Sequence, residues 1–262
     1  MVQPRHGDLS VNDLAAGERA VARSVLYRFL AYAYRYPEPA SETETATFRP
    51  GCEQALSALG VLEDSPLQQC FRLLMERSTL TPFEDLEGAY NTLFGHSVRG
   101  SCPPYETEYG ENSEPIRQPH ELGDLAAFYR AFGLEIAERA HERFDHISVE
   151  CEYMHFLTHK QSYAEEQGDE GLAKACLDGQ RKFLQDHLGR WSPTFLRRLL
   201  AEADDGFYGV LARFTLEFIS EECAGLGVQP GSEELRVRVP TLSMDECISC
   251  SFTQTHPESG PG

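Results

Sequence analysis

Apolar residues in this chain recur every three or four positions from residue 18 to residue 223, and almost nowhere at every second position. That spacing lines them along one face of an α-helix, whereas a half-buried strand alternates. The stretch 18–35 carries Val21, Val25, Leu26, Phe29, Leu30 and Ala33 in this register. Ser65-Pro66 starts a second helix, with Leu67, Phe71, Leu74 and Met75 facing inward. Thr81-Pro82 starts the next, with Thr81 as cap, Pro82 as first helical residue and Glu84 as third, and Gly95 stops it. Further helices are expected over 120–132 with Gly133 as stop, 134–143, 146–166, 169–189, Ser192 to Ala203 and Phe207 to Cys223. Only Arg236-Val-Arg-Val239 alternates, and no internal repeat is present. Residues 96–120 hold Pro103, Pro104, Pro115 and Pro119 without helical period. Irregular connections of that length are uncommon in compact domains and often functional. The fold class is therefore all-α: a single globular helical domain of about nine or ten helices with a long proline-rich connection. It spans 18–223, between a flexible N-terminus (1–17) and a polar C-terminal tail (224–262).

Charge narrows the function. With 23 Lys+Arg against 42 Asp+Glu, the net charge is −19. Nucleic-acid binding needs a basic surface and is excluded; a basic partner is favoured in encounter. The first 17 residues lack the apolar core of a signal peptide, and no stretch approaches the roughly 18 apolar residues of a membrane span. A cytoplasmic protein without stable membrane insertion is expected. Its eight cysteines have no framework spacing, so most read as free thiols.

Three constellations carry candidate chemistry. Glu138/His141 and Glu152/His155 are Glu-x-x-His pairs, the spacing of di-iron helical bundles. They lie 14 positions apart with Phe144-Asp145 between them, so they read rather as surface or cap residues. Cys247-x-x-Cys250 is half of a zinc motif and reads as an exposed dithiol. Asp145-His146 stands at the mouth of a largely apolar helix that also contains Glu150 and Glu152. Asp145 fits an N-cap, but that leaves glutamates among Val149, Cys151, Tyr153 and Met154 without a purpose. No phosphate-binding glycine loop and no nucleophile elbow is present.

Four segments then carry a resemblance. Leu86-Glu-Gly-Ala-Tyr-Asn-Thr-Leu-Phe94, Pro103-Pro-Tyr-Glu-Thr-Glu-Tyr109, Asp145-His-Ile-Ser-Val-Glu-Cys-Glu-Tyr-Met154 and Phe183-Leu-Gln-Asp-His-Leu-Gly-Arg-Trp-Ser-Pro193 occur in order over about 110 residues. Together they resemble the TorD/DmsD/NarJ family of molybdoenzyme maturation chaperones. Thr107 stands where serine is usual, Phe144 where proline is common and Cys151 where leucine is. The resemblance implies a helical binding protein with no catalytic residues and no cofactor of its own. Its partner would be a molybdoenzyme catalytic subunit, often through a twin-arginine signal peptide, held for insertion of the molybdenum cofactor. Tyr105, Glu106, Glu108, Tyr109, Asp145, His146, Glu150 and Glu152 would form the peptide site. Guanidinium groups would meet Glu106, Glu108, Asp145 and Glu150, and alanine at both Glu106 and Asp145 is expected to weaken binding without unfolding. The chain would be a monomer or dimer. The runner-up is a helical metal-dependent enzyme built on the Glu-x-x-His pairs.

Overall fold

The computed structural model describes residues 16–39, 41–95, 99–110, 117–134, 142–231 and 235–238. Among these are nine α-helices, one 3-10 turn and two isolated β-bridges, so the chain is all-α. The helices are α1 (Ala16–Ala33), α2 (Ser41–Ala58), α3 (Pro66–Leu80), α4 (Phe83–Leu93), α5 (Arg117–Ala131), α6 (Ile147–Glu166), α7 (Glu170–Asp186), α8 (Leu188–Glu202) and α9 (Phe207–Leu226). The short turn covers Glu106–Glu108.

α1 is buried on several sides, with Ala22, Leu26, Tyr27, Phe29, Leu30 and Ala33 all in the core. A helix apolar over so much of its surface belongs at the centre of a bundle. Its most extensive partner is α6, and α2 covers another side. Beyond them α6 packs on α7, α8 on α9, and α3 on α9. Phe29, Phe71 and Phe214 tie α1, α3 and α9 through ring centroids 5.8 to 6.5 Å apart. Arg23 on α1 forks onto Glu222 on α9 with two bonds of 2.7 Å, across 199 positions of sequence.

Element boundaries follow local chemistry. Ser65 caps α3 by accepting from the Gln68 N–H, with Pro66 the first helical residue, as the sequence reading expects. Thr81 does not open α4. Its N–H and hydroxyl both donate to the Arg77 carbonyl and so close α3, and Phe83 begins α4 without a side-chain cap. Only Thr81 and Pro82 separate the two helices, and the Thr81 hydroxyl is committed to the first.

Two helices differ more from expectation. α2 lies where the sequence reading places no helix, and it contains Pro50. α8 begins at Leu188 rather than Ser192, so Pro193 lies inside it. A proline there leaves the carbonyl four residues back, that of Gly189, without its helical donor. The Gly231 N–H supplies one at 2.8 Å. A Cβ on Gly231 would stand 1.7 Å from the Arg190 carbonyl oxygen, so only glycine allows this approach. The expected 134–143 helix falls largely outside the described residues, as do residues 1–15 and the Cys247/Cys250 pair.

Candidate functional site

The proline-rich connection contains an ordered stretch. Residues 104–106 lie antiparallel to 145–147: Glu106 N–H donates to the Asp145 carbonyl and Ile147 N–H to the Pro104 carbonyl, each at 2.9 Å. Pro103 and Pro104 cannot donate, so they take part only through their carbonyls, as acceptors. The result fixes Pro103–Gly110 against the entrance of α6. Tyr109 is fully buried, stacks near Trp191 at 5.3 Å and donates its hydroxyl to the Pro103 carbonyl at 2.9 Å.

Five of the predicted site residues are internal, Tyr109 among them. Glu106, Asp145, His146 and Glu150 have no exposed surface. Glu106 accepts from Arg190 at 2.7 Å and lies 3.0 Å from His187 Nδ1. Asp145 is held by the Arg143 fork at 2.7 and 3.0 Å and by the Thr107 hydroxyl at 2.8 Å. Arg143 also lies over the Tyr105 ring, 4.4 Å from its centroid. Glu150 accepts from the Trp191 indole N–H at 3.0 Å. Burial, then the charge of Glu106, pushes the Glu150 carboxyl well above the usual carboxylate range, against the pull of that hydrogen bond. Glu106 and Asp145 hold the segment to its surroundings, Glu150 ties α6 to α8, and all three carboxylates are already engaged within the chain.

His146, not Asp145, caps α6. Its Nδ1 accepts from the Ser148 N–H at 3.1 Å, which requires the neutral ring. Burial, aided by Arg143, lowers its pKa from 6.5 to about 3, which keeps the ring neutral. Asp145 instead faces back toward the 103–110 segment.

The remaining predicted residues reach the surface. Tyr105 is half-buried and donates its hydroxyl to Glu142 at 3.0 Å. Glu108 pairs with Arg99 at 2.7 Å. Glu152 is 58% exposed, pairs with Arg35, two residues past the end of α1, at 3.2 Å, and lines a cleft of about 360 Å³ with Arg28, Tyr32, Phe48 and His155. It therefore faces α1 and α2 instead of joining the 105–109 segment.

Among the described residues, Glu152 and His155 gather no further metal ligand. His155 Nδ1 lies 2.8 Å from the Ser24 hydroxyl, while Glu138 and His141 lie outside the described residues. Among the described residues no three His, Cys, Asp or Glu side chains converge as ligands of a metal, and no helix is long and apolar enough to cross a membrane.

Sequence reasoning missed the basic and aromatic partners: Arg143, His187, Arg190, Trp191 and Arg238. Three of them stand in the 183–193 segment: His187 in the junction before α8, and Arg190 and Trp191 in its first turn, all bonded to the acids.

Comparison with known proteins covers the same segments. The family described as nitrate reductase delta subunit matches residues 61–197, which include all four of them. A perchlorate reductase assembly chaperone protein of Dechloromonas aromatica (strain RCB) is 30% identical over 215 residues, 80% of this chain and 93% of its own. A selenate reductase assembly chaperone protein of Thauera selenatis is 29% identical over 159 residues, covering 60% and 79% respectively. A chaperone protein TorD of Vibrio cholerae serotype O1 (strain M66-2) is 28% identical over 142 residues, 53% of this chain and 60% of its own. With more than half its length matched to the family, and with a relative aligned along nearly its entire chain, this protein belongs to the nitrate reductase delta subunit family, which includes the NarJ and TorD proteins.

Proposed function

We propose that this chain is an assembly chaperone for the catalytic subunit of a molybdenum-containing reductase, and that it acts by binding rather than by catalysis. The observation that carries the reading is the 30% identity to a perchlorate reductase assembly chaperone over 93% of that relative's length. The geometry supports it. The signature acids brace a binding segment, an arrangement suited to presenting a fixed surface to a partner.

The client meets the exposed side of this segment. Tyr105 and Glu108, with Glu142 beside them, offer an aromatic face and carboxylates to a basic peptide such as a twin-arginine leader. Glu106, Tyr109, Asp145, His146 and Glu150 act from beneath, as positioning residues. Glu152 belongs to the separate α1–α2 cleft. The net charge of −19 speeds encounter with a basic segment without fixing its pose. The site of action is the cytoplasm, before any export of the client.

The test is co-purification from the native host, with partners identified by mass spectrometry. A molybdoenzyme catalytic subunit is the expected partner. Recovery of no partner, together with stoichiometric metal in the purified chain, would overturn the reading in favour of a metal-dependent enzyme.

A further inference from the structure

Beyond α9 the chain returns to the signature segment. Arg238 N–H donates to the Glu108 carbonyl at 2.7 Å and Gly110 N–H to the Arg236 carbonyl at 2.8 Å, flanking an antiparallel bridge between Tyr109 and Val237. Leu235 and Val237 pack partly buried on the core, and Arg236 is exposed. Arg238 is only 8% exposed. Its guanidinium donates to the Thr107 carbonyl at 2.7 Å and to both oxygens of Glu121 at 3.1 and 3.2 Å.

The socket is shaped for that group. Gly110 has φ +155°, and a Cβ there would lie 2.5 Å from the Arg238 guanidinium. Glu121 is itself mostly buried, with Arg190 3.7 Å away. Arg99 links the two strands, bonding the Arg238 carbonyl at 2.8 Å and Glu108 at 2.7 Å. An exposed strand edge, alternate apolar contacts and a carboxylate at a fixed depth are what β-strand addition uses to read a peptide.

We propose that this socket is a peptide-binding site for extended segments of pattern apolar-x-apolar-Arg, occupied in cis by Leu235–Arg238 and opened to a segment of the client by displacement. The displacement step rests on the chaperone reading; the socket and its arginine specificity do not. The cis segment holds by two backbone–backbone bonds, the Arg99 bond to its last carbonyl, one guanidinium and two partly buried apolar side chains, a set that a partner bringing the same groups can replace. Tethering gives the cis segment a high effective concentration, so free peptide competes poorly until that grip is loosened.

The probe is a fluorescein-labelled decapeptide of residues 231–240, titrated by anisotropy against the full-length chain. The wild type is expected to bind it at least about tenfold more weakly than the Arg238→Ala protein. Arg238→Ala in the peptide, or Glu121→Gln in the Arg238→Ala protein, is expected to cost about tenfold or more. Absence of binding by a folded Arg238→Ala protein, or equal binding of the peptide lacking arginine, would overturn the proposal. Should Arg238→Ala fail to fold, amide exchange on the wild type decides: the Gly110 and Arg238 amides are expected to exchange at least a hundredfold faster than those mid-α6, and equal protection overturns the proposal. Neither readout involves the reductase, so failure here and failure of the chaperone reading are separately visible.

Discussion

Carboxylates drew attention in the sequence because they sit among apolar neighbours, and the structure explains them one at a time. Glu106 answers His187 and Arg190, so Glu106→Ala takes the carboxylate acceptor from a buried histidine and the nearer of two carboxylates from a partly buried guanidinium. That is expected to cost roughly 2–4 kcal/mol in urea unfolding. Adding Asp145→Ala also removes the shared acceptor of the Arg143 fork and the Thr107 hydroxyl, so the double alanine should lower stability further and is no clean probe of binding. His146 and Glu150 titrate in opposite senses. A base whose pKa falls on folding contributes stability that is present above its ordinary 6.5 and is lost as pH drops toward about 3. Between pH 6.5 and 4.5 that contribution shrinks by about 1.4 kcal/mol per unit. His146→Asn, which keeps a cap, should flatten this slope in denaturant titrations at pH 7.5, 5.5 and 4.5. An acid whose pKa is raised contributes stability below its ordinary 4.5 that is lost as pH rises. Glu150→Gln still accepts from Trp191, and should melt at or above the wild type at pH 8, whereas Glu150→Ala should melt below it. None of this was legible in the acids alone, because burial depends on partners some 40 to 80 positions away.

Helices were readable where large apolar residues mark the buried face, as in α3 and α4. α2 escaped because its buried positions include Thr45, Cys52 and Ala55, small or polar residues that weaken the periodic signal, and because Pro50-Gly51 reads as a break. The spacing 45, 48, 52, 55 is nonetheless helical, with Phe48 packed against the core. α8 was begun late for a related reason: Ser192-Pro193 looks like a start, and only the distant Gly231 reveals how the interior proline is tolerated. Gly231→Ala forces a Cβ onto the Arg190 carbonyl and is expected to lose about 1–3 kcal/mol, measured by denaturant unfolding. The alternation at Arg236–Val239 was visible in sequence as a strand hint; its partner strand, Tyr109, was not, since pairing across more than a hundred positions leaves no local trace.

At the scale of the molecule, the all-α class and the family were legible together, because helical period and four ordered segments span most of the chain. The thiols report on the same packing. Cys52, Cys70, Cys102, Cys151, Cys176 and Cys223 are buried, and burial raises each of them, Cys52 to about 12 and Cys223 to about 11. Thiolates are the reactive form. Iodoacetamide at pH 8 should therefore leave all six unmodified in the native protein and label all six in denaturant, as read by peptide mass mapping. The pairing of α1 with α6 and α9 has a consequence for biosynthesis. When Arg23 is incorporated, the codon for Glu222 is still 199 codons downstream. At about 5–20 residues per second, on the order of ten to forty seconds pass before its partner is made. α2 follows early, but the faces of the first helix that α6 and α9 cover stay open until those helices are made, so a protein that shelters another during assembly is itself, while being translated, in need of shelter.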